Sequence, residues 1–168
     1  SKSKFNREYN NLKPCTERSF LHNRGIEDFI IDSAIFKSNI YNHSFIDANG
    51  KEHVNTAFPL VGENGVVAIS KRNNDFKGMM GEKDNGIFIT KDLSNGGKID
   101  KLIITESAID AISHYQINFE EFKNINIRYI STEGAFSEQQ TDLISKVINK
   151  QNPNEVSFGQ DNDLEGTH

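Results

Sequence analysis

From residue 101 onward the chain alternates two kinds of segment, and this order constrains the fold more than any other feature. KLIIT (101–105) has a continuous apolar centre, and INIRYIS (125–131) and EVSFGQ (155–160) are short strand-like runs. ESAIDAISHYQ (106–116) and SEQQTDLISKVINKQ (137–151) stand between them with apolar residues at helical spacing. Ile109, Ile112 and Tyr115 or His114 face one way in the first helix, and Leu143, Ile144, Val147 and Ile148 face one way in the second. A strand–helix–strand–helix–strand order predicts an α/β fold with a parallel sheet and flanking helices. Ligands of such sheets sit beyond the carboxyl ends of the strands.

Acids gather at that edge. Glu106 follows the first strand, Glu133 and Gly134 follow the second, and Asp161 and Asp163 follow the third. Asp110 lies four residues after Glu106, which puts both carboxylates on one helix face. Asp161 and Asp163 flank one residue and point the same way from an extended segment. Glu106, Asp110, Asp161 and Asp163 converging without cations would repel one another, at about 1.4 kcal/mol for each unit of pKa shift. A hard divalent cation with oxygen ligands relieves this, Mg²⁺ before Mn²⁺. The plainer alternative is that single acids cap helices or face solvent.

Charge supports a division of the chain. Residues 1–98 hold 14 Lys and Arg against 12 Asp and Glu, and residues 99–168 hold 5 against 12, giving +2 and −7 and the net −5. A net-negative chain does not bind nucleic acid through bulk charge, so a local basic patch or bridging metal is required. The single cysteine, Cys15, excludes a disulfide framework and a cysteine-rich zinc site, and reads as a small buried hydrophobe. No apolar run approaches the roughly 18 residues of a membrane span, and the first residues lack the apolar centre of a signal peptide. The expected location is the cytoplasm.

Residues 1–98 read as a smaller α+β subdomain. Residues 5–35 are predicted helical, with Pro14 in a first turn, Thr16 as an N-cap and Gly25 as a stop after Arg24. Strands are expected around the Ala48-Asn49-Gly50 turn, over VVAIS (66–70) after a turn at 62–65, and over GIFIT (86–90). The Gly-, Lys- and Asn-rich stretch 71–86 reads as a loop that holds at most a short strand. Residues 93–100 read as a linker. The phenylalanines belong to the core, although Phe29, Phe36 and Phe58 have the alternative of stacking on bases. His114 reads as a packing residue at a helix edge.

LIITESAIDAIS, ISTEGA and VSFGQDNDLEG together resemble the Toprim domain shared by bacterial replicative primases, topoisomerases and some nucleases. The resemblance covers about residues 100–168, taken here as 99–168. It implies catalytic roles for Glu106, Asp110, Asp161 and Asp163, with Glu106, Asp161 and Asp163 as metal ligands and Gly134 and Gly166 as structural glycines. Ser107 stands where many Toprim domains have glycine. The chain stops at Thr167-His168, where the family continues with another helix and usually a strand, so the Toprim part is expected to be cut short. SFLHNRGIEDFIIDSAIF and the segments TAFPLVGENGVVAISKRN and FKGMMGEKDNGIFIT resemble the primase core that precedes Toprim. That implies phosphate or nucleic-acid contacts from Lys71, Arg72 and Lys77, and it resembles primase-like Toprim proteins of bacterial mobile elements. A primase zinc ribbon is absent.

The resemblance implies a Mg²⁺-dependent (or Mn²⁺-dependent) nucleic-acid-processing domain, most simply DNA-primase-like nucleotidyl transfer in replication or mobilisation of a mobile element. Its partners are then single-stranded template DNA, nucleotides and other mobilisation proteins, with no membrane. Two alternatives stay open: a Toprim-type nuclease with Glu106 as general acid or base, and a non-catalytic metal- and DNA-binding module of a larger protein. A topoisomerase needs a nucleophilic tyrosine, and Tyr9, Tyr41, Tyr115 and Tyr129 lie in helix or strand segments without a flanking DNA-binding region.

Overall fold

The computed structural model describes residues 2–159, and it contains two sheets joined by one core. Helix α1 spans Lys2–Asn10, β1 is the two-residue strand Lys13–Pro14, and α2 (Ser19–Asn23) and α3 (Asp28–Ile31) follow. The antiparallel first sheet is built in chain order from β1, β2 (Tyr41–Ile46), β3 (Glu52–Gly62), β4 (Gly65–Asn73) and β5 (Phe76–Gly81). The second sheet holds β6 (Phe88–Ile89), β7 (Lys101–Thr105), β8 (Ile127–Ser131) and β9 (Glu155–Phe158) in the order β6-β8-β7-β9. Helices α4 (Ala108–Ile117) and α5 (Phe119–Phe122) lie between β7 and β8, and α6 (Glu138–Gln151) lies between β8 and β9.

The strand–helix alternation produces the expected parallel pairs. β7 runs parallel to β8 on one side and to β9 on the other, while β6 closes the far edge antiparallel to β8. Leu102, Ile103 and Ile104 are buried on both faces of β7, as a central parallel strand requires. Ile103 points into a core with Ile109, Ile112 and Tyr115 of α4 and with Phe20, Ile30 and Phe36 from the N-terminal segment. Leu102 and Ile104 point to the opposite face, where Ile144 of α6 is buried and Leu143, Val147 and Ile148 are partly buried. The first core therefore runs across residue 98, and Phe58 of β3 meets Phe88 of β6 edge-to-face at 6.1 Å.

Residues 5–35 are helical only in part. Pro14 pairs with Tyr41 in the outer strand of the first sheet, a position where its missing N–H costs nothing. Thr16 is not an N-cap: its own N–H donates to Asn42 Oδ1 at 2.9 Å, and α2 begins after Arg18. Glu27 and Ser33 adopt extended backbone and divide IEDFIIDSAIF into α3 and a 3₁₀ turn at Ala34–Phe36. Gly25 does end α2, with φ +80°. The stretch 71–86 is largely a hairpin, since β4 continues to Asn73 and β5 pairs with it from Asn73↔Phe76 to Ala68↔Gly81. The turn at Asp47–Gly50, with Gly50 at φ +82°, matches expectation. No helix among the described residues is long and apolar enough to cross a membrane.

Candidate metal and phosphate cleft

The carboxyl end of β7 is pinned by short-range polar contacts. Thr105 Oγ1 donates to the Ser107 carbonyl at 2.8 Å. Ser107 then caps α4, its hydroxyl accepting the Asp110 N–H at 3.2 Å. The serine in the glycine-favoured place thus starts the helix that carries Asp110. The Glu106 carbonyl accepts from Ser131 Oγ at 3.0 Å and from the Gly134 N–H at 3.2 Å. Gly134 has φ +124°, a conformation that a side chain would strain, so this glycine is required by the turn that brings β8 back to Glu106. Glu106 is exposed and Asp110 is half-buried.

The opposite wall comes from the first sheet. Arg72 of β4 and Lys77 of β5 are direct cross-strand partners, so their side chains leave one face together. Ser70, Arg72 and Lys77 share that face, and Ser70 Oγ donates to Glu133 Oε2 at 3.2 Å. Lys71 lies one residue out of phase and points away, so the structure does not bring it to the cleft. Arg24, at the C-terminus of α2, stands over the Phe20 ring at 5.2 Å, and Arg72 stands over the same ring at 5.5 Å. Arg24, Arg72, Lys77, Glu106, Asp110 and Glu133 line one cavity of about 190 Å³, closed by Ser107, Ile109 and Gly134.

Two groups in the cleft are electrostatically displaced. Burial, and then the Arg24 charge beside it, lower the Arg72 pKa, against the opposing pull of Glu133 and Asp110. The Arg72 Nε is buried without a hydrogen-bond partner among the described residues. Burial raises the Glu133 pKa, opposed by hydrogen bonds from the Ala108 N–H, Ser70 and Ser131 and by the charge of Arg72.

Of the residues singled out in sequence, the structure brings together Glu106, Asp110, Gly134, Arg72 and Lys77. Asp161, Asp163 and Gly166 lie outside the described residues. Among the described residues no group of three or more metal-ligating side chains is gathered. Glu106 and Asp110 supply hard oxygen donors, which fit Mg²⁺ or Mn²⁺ and not a thiophilic ion. Arg24 was not assigned to the site from sequence, where it reads only as the last residue before a helix stop.

The Toprim-like family model matches residues 103–168. That match supports a Toprim domain protein, a class whose modules bind divalent metal and process nucleic acid. No curated protein matches the chain.

Proposed function

We propose that this chain is a Mg²⁺- or Mn²⁺-dependent nucleic-acid-processing domain whose activity is DNA-primase-like nucleotidyl transfer, in replication or mobilisation of a mobile element. The observation that carries the reading is the two-sided cleft: Glu106 and Asp110 on one wall face Arg24, Arg72 and Lys77 on the other. A carboxylate wall suits divalent cations, and a wall of two guanidiniums and an ammonium suits phosphates. Polyphosphate and nucleic-acid substrates need both within one site. Glu106, with Asp161 and Asp163, would hold the metal, with Asp110 close beside it. Bound divalent ions supply charge neutralisation at the attacking and leaving oxygens of phosphoryl transfer. Arg24 and Arg72 would hold phosphate oxygens through paired N–H donors, and Lys77 would act as a point charge.

The test is a single-stranded DNA template with nucleoside triphosphates and Mg²⁺ or Mn²⁺. Primer synthesis that is lost in Glu106→Gln supports nucleotidyl transfer. Template shortening by metal without nucleotides supports a nuclease instead. Metal-dependent DNA binding with neither activity supports a binding module.

A further inference from the structure

Glu133 stands at the joint between the two walls of the cleft. Its Oε1 accepts the Ala108 N–H at 2.6 Å and lies 3.3 Å from the donating Ser131 Oγ, while its Oε2 accepts from Ser70 Oγ at 3.2 Å. Ala108 is the first residue of α4, midway between Glu106 and Asp110. Ser70 lies two residues before Arg72 on the same face of β4. One carboxylate is therefore bonded to the segment that carries the acids and to the strand that carries the cations. Its backbone is left-handed, φ +57°, a conformation that a non-glycine residue adopts only at a cost. Accepting the Ala108 N–H would need neither the arm to Ser70 nor that backbone, and the Asp110 N–H is taken separately by Ser107.

We propose that Glu133 is a positioning residue that sets the spacing between Glu106 and Asp110 on one wall and Arg72 and Lys77 on the other, through the Ala108 amide and the Ser70 hydroxyl. The proposal rests on the reading of the cleft as a joint cation and phosphate site. Ser70 and Glu133 are 63 residues apart in sequence. The two walls come from different sheets, so a metal held by one and a phosphate held by the other meet only if the joint is fixed.

The test uses the full chain as parent, Glu133→Gln, Glu133→Ala and Ser70→Ala. Mn²⁺ binding is read by calorimetry, a labelled single-stranded oligonucleotide by fluorescence anisotropy, and the Ala108 amide by hydrogen exchange. Glu133→Ala is expected to lose about tenfold or more in Mn²⁺ affinity, the scale typical of partners that orient metal ligands, and to lose protection at Ala108. Glu133→Gln keeps an acceptor for Ala108 and a polar partner for Ser70, and recovers most of that loss. Ser70→Ala keeps the parent's Mn²⁺ affinity and weakens oligonucleotide binding. If Glu133→Ala does not fold, the other two variants decide. Ser70→Ala binding the oligonucleotide as tightly as the parent overturns the proposal, and so does Glu133→Gln as deficient as Glu133→Ala. A Glu133→Ala chain that binds both ligands like the parent refutes the positioning role alone. A parent that binds neither Mn²⁺ nor oligonucleotide refutes the reading of the cleft itself.

Discussion

Replacing Arg72 with methionine separates a phosphate-binding wall from a merely basic surface. Three cations line the cleft, Arg24, Arg72 and Lys77. Each phosphate neutralised on a single strand contributes about −0.7 to the slope of log affinity against log salt, so three contacts give about −2.1. Raising salt fourfold, from roughly 50 to 200 mM, then weakens binding about 18-fold in the parent. With two contacts left, the slope falls to about −1.4 and the same step costs about 7-fold. Lys71→Met removes the same formal charge from the neighbouring residue, but Lys71 faces away from the cleft. That variant should keep the parent's slope. The assay is a salt titration of labelled single-stranded DNA by anisotropy at a fixed, low Mn²⁺ concentration. If Arg72→Met keeps the parent's slope, or Lys71→Met lowers it equally, the cleft is not where the phosphates lie.

Two further predictions concern how the fold holds that cleft together. Gln140 is fully buried, and its amide donates to the carbonyls of Lys83, Gly86 and Thr132 while its oxygen accepts the Ser137 N–H. Gln140→Ala takes that donor from the Gly86 and Thr132 carbonyls, while the Lys83 carbonyl keeps the Gly86 N–H, and the expected cost is about 2–3 kcal/mol, seen as a fall of several degrees in thermal midpoint by circular dichroism, with a loss under about 1 kcal/mol contradicting it. His114 contacts Tyr129 Oη through Nδ1 at 2.7 Å, and burial lowers its pKa. The folded chain then favours the neutral imidazole, so this stability is present above the ordinary histidine value and is lost as pH falls through it. Urea midpoints should drop between about pH 7 and pH 5, and less steeply in His114→Leu; equal slopes would remove His114 as the cause.

The βαβ half of the molecule was legible because two separate signals agreed there. KLIIT carries an unbroken apolar centre, INIRYIS is rich in Ile and Tyr, and the segments that follow them repeat at helical spacing. The capping serines 107 and 137 then fix where α4 and α6 begin. The N-terminal half sends weaker signals. β5 is an outer strand whose residues are mostly exposed, so its Lys- and Gly-rich sequence resembles a loop until β4 pairs with it. β1 is two residues long and owes its existence to β2 alone. The helical reading of IEDFIIDSAIF failed because Glu27 and Ser33 take extended backbone, which tertiary packing imposes on a sequence of tolerable helix formers.

The site was legible to the same uneven degree. Glu106 follows from the end of β7, a local rule, but it precedes the N-cap Ser107 and stands outside α4, so the helix pitch expected to pair it with Asp110 does not apply and the turn at Ser107 sets the pair instead. The choice between Lys71 and Arg72 depends on the phase of β4, which a polar stretch does not reveal and a one-residue shift inverts. Arg24 reaches the cleft only because α2 packs Phe20 beneath both guanidiniums. Glu133 was visible as an acid after β8, but its bond to Ser70 depends on how the two sheets meet.

The most direct measurement of the central claim is calorimetric Mn²⁺ binding to the parent beside Glu106→Gln, Asp110→Asn and Asp161→Asn. The account predicts binding in the parent that each substitution weakens at least tenfold, the scale of losing one charged oxygen ligand from a hard-cation site. Binding that survives all three substitutions, or no binding in the parent, would contradict a metal site at this sheet edge.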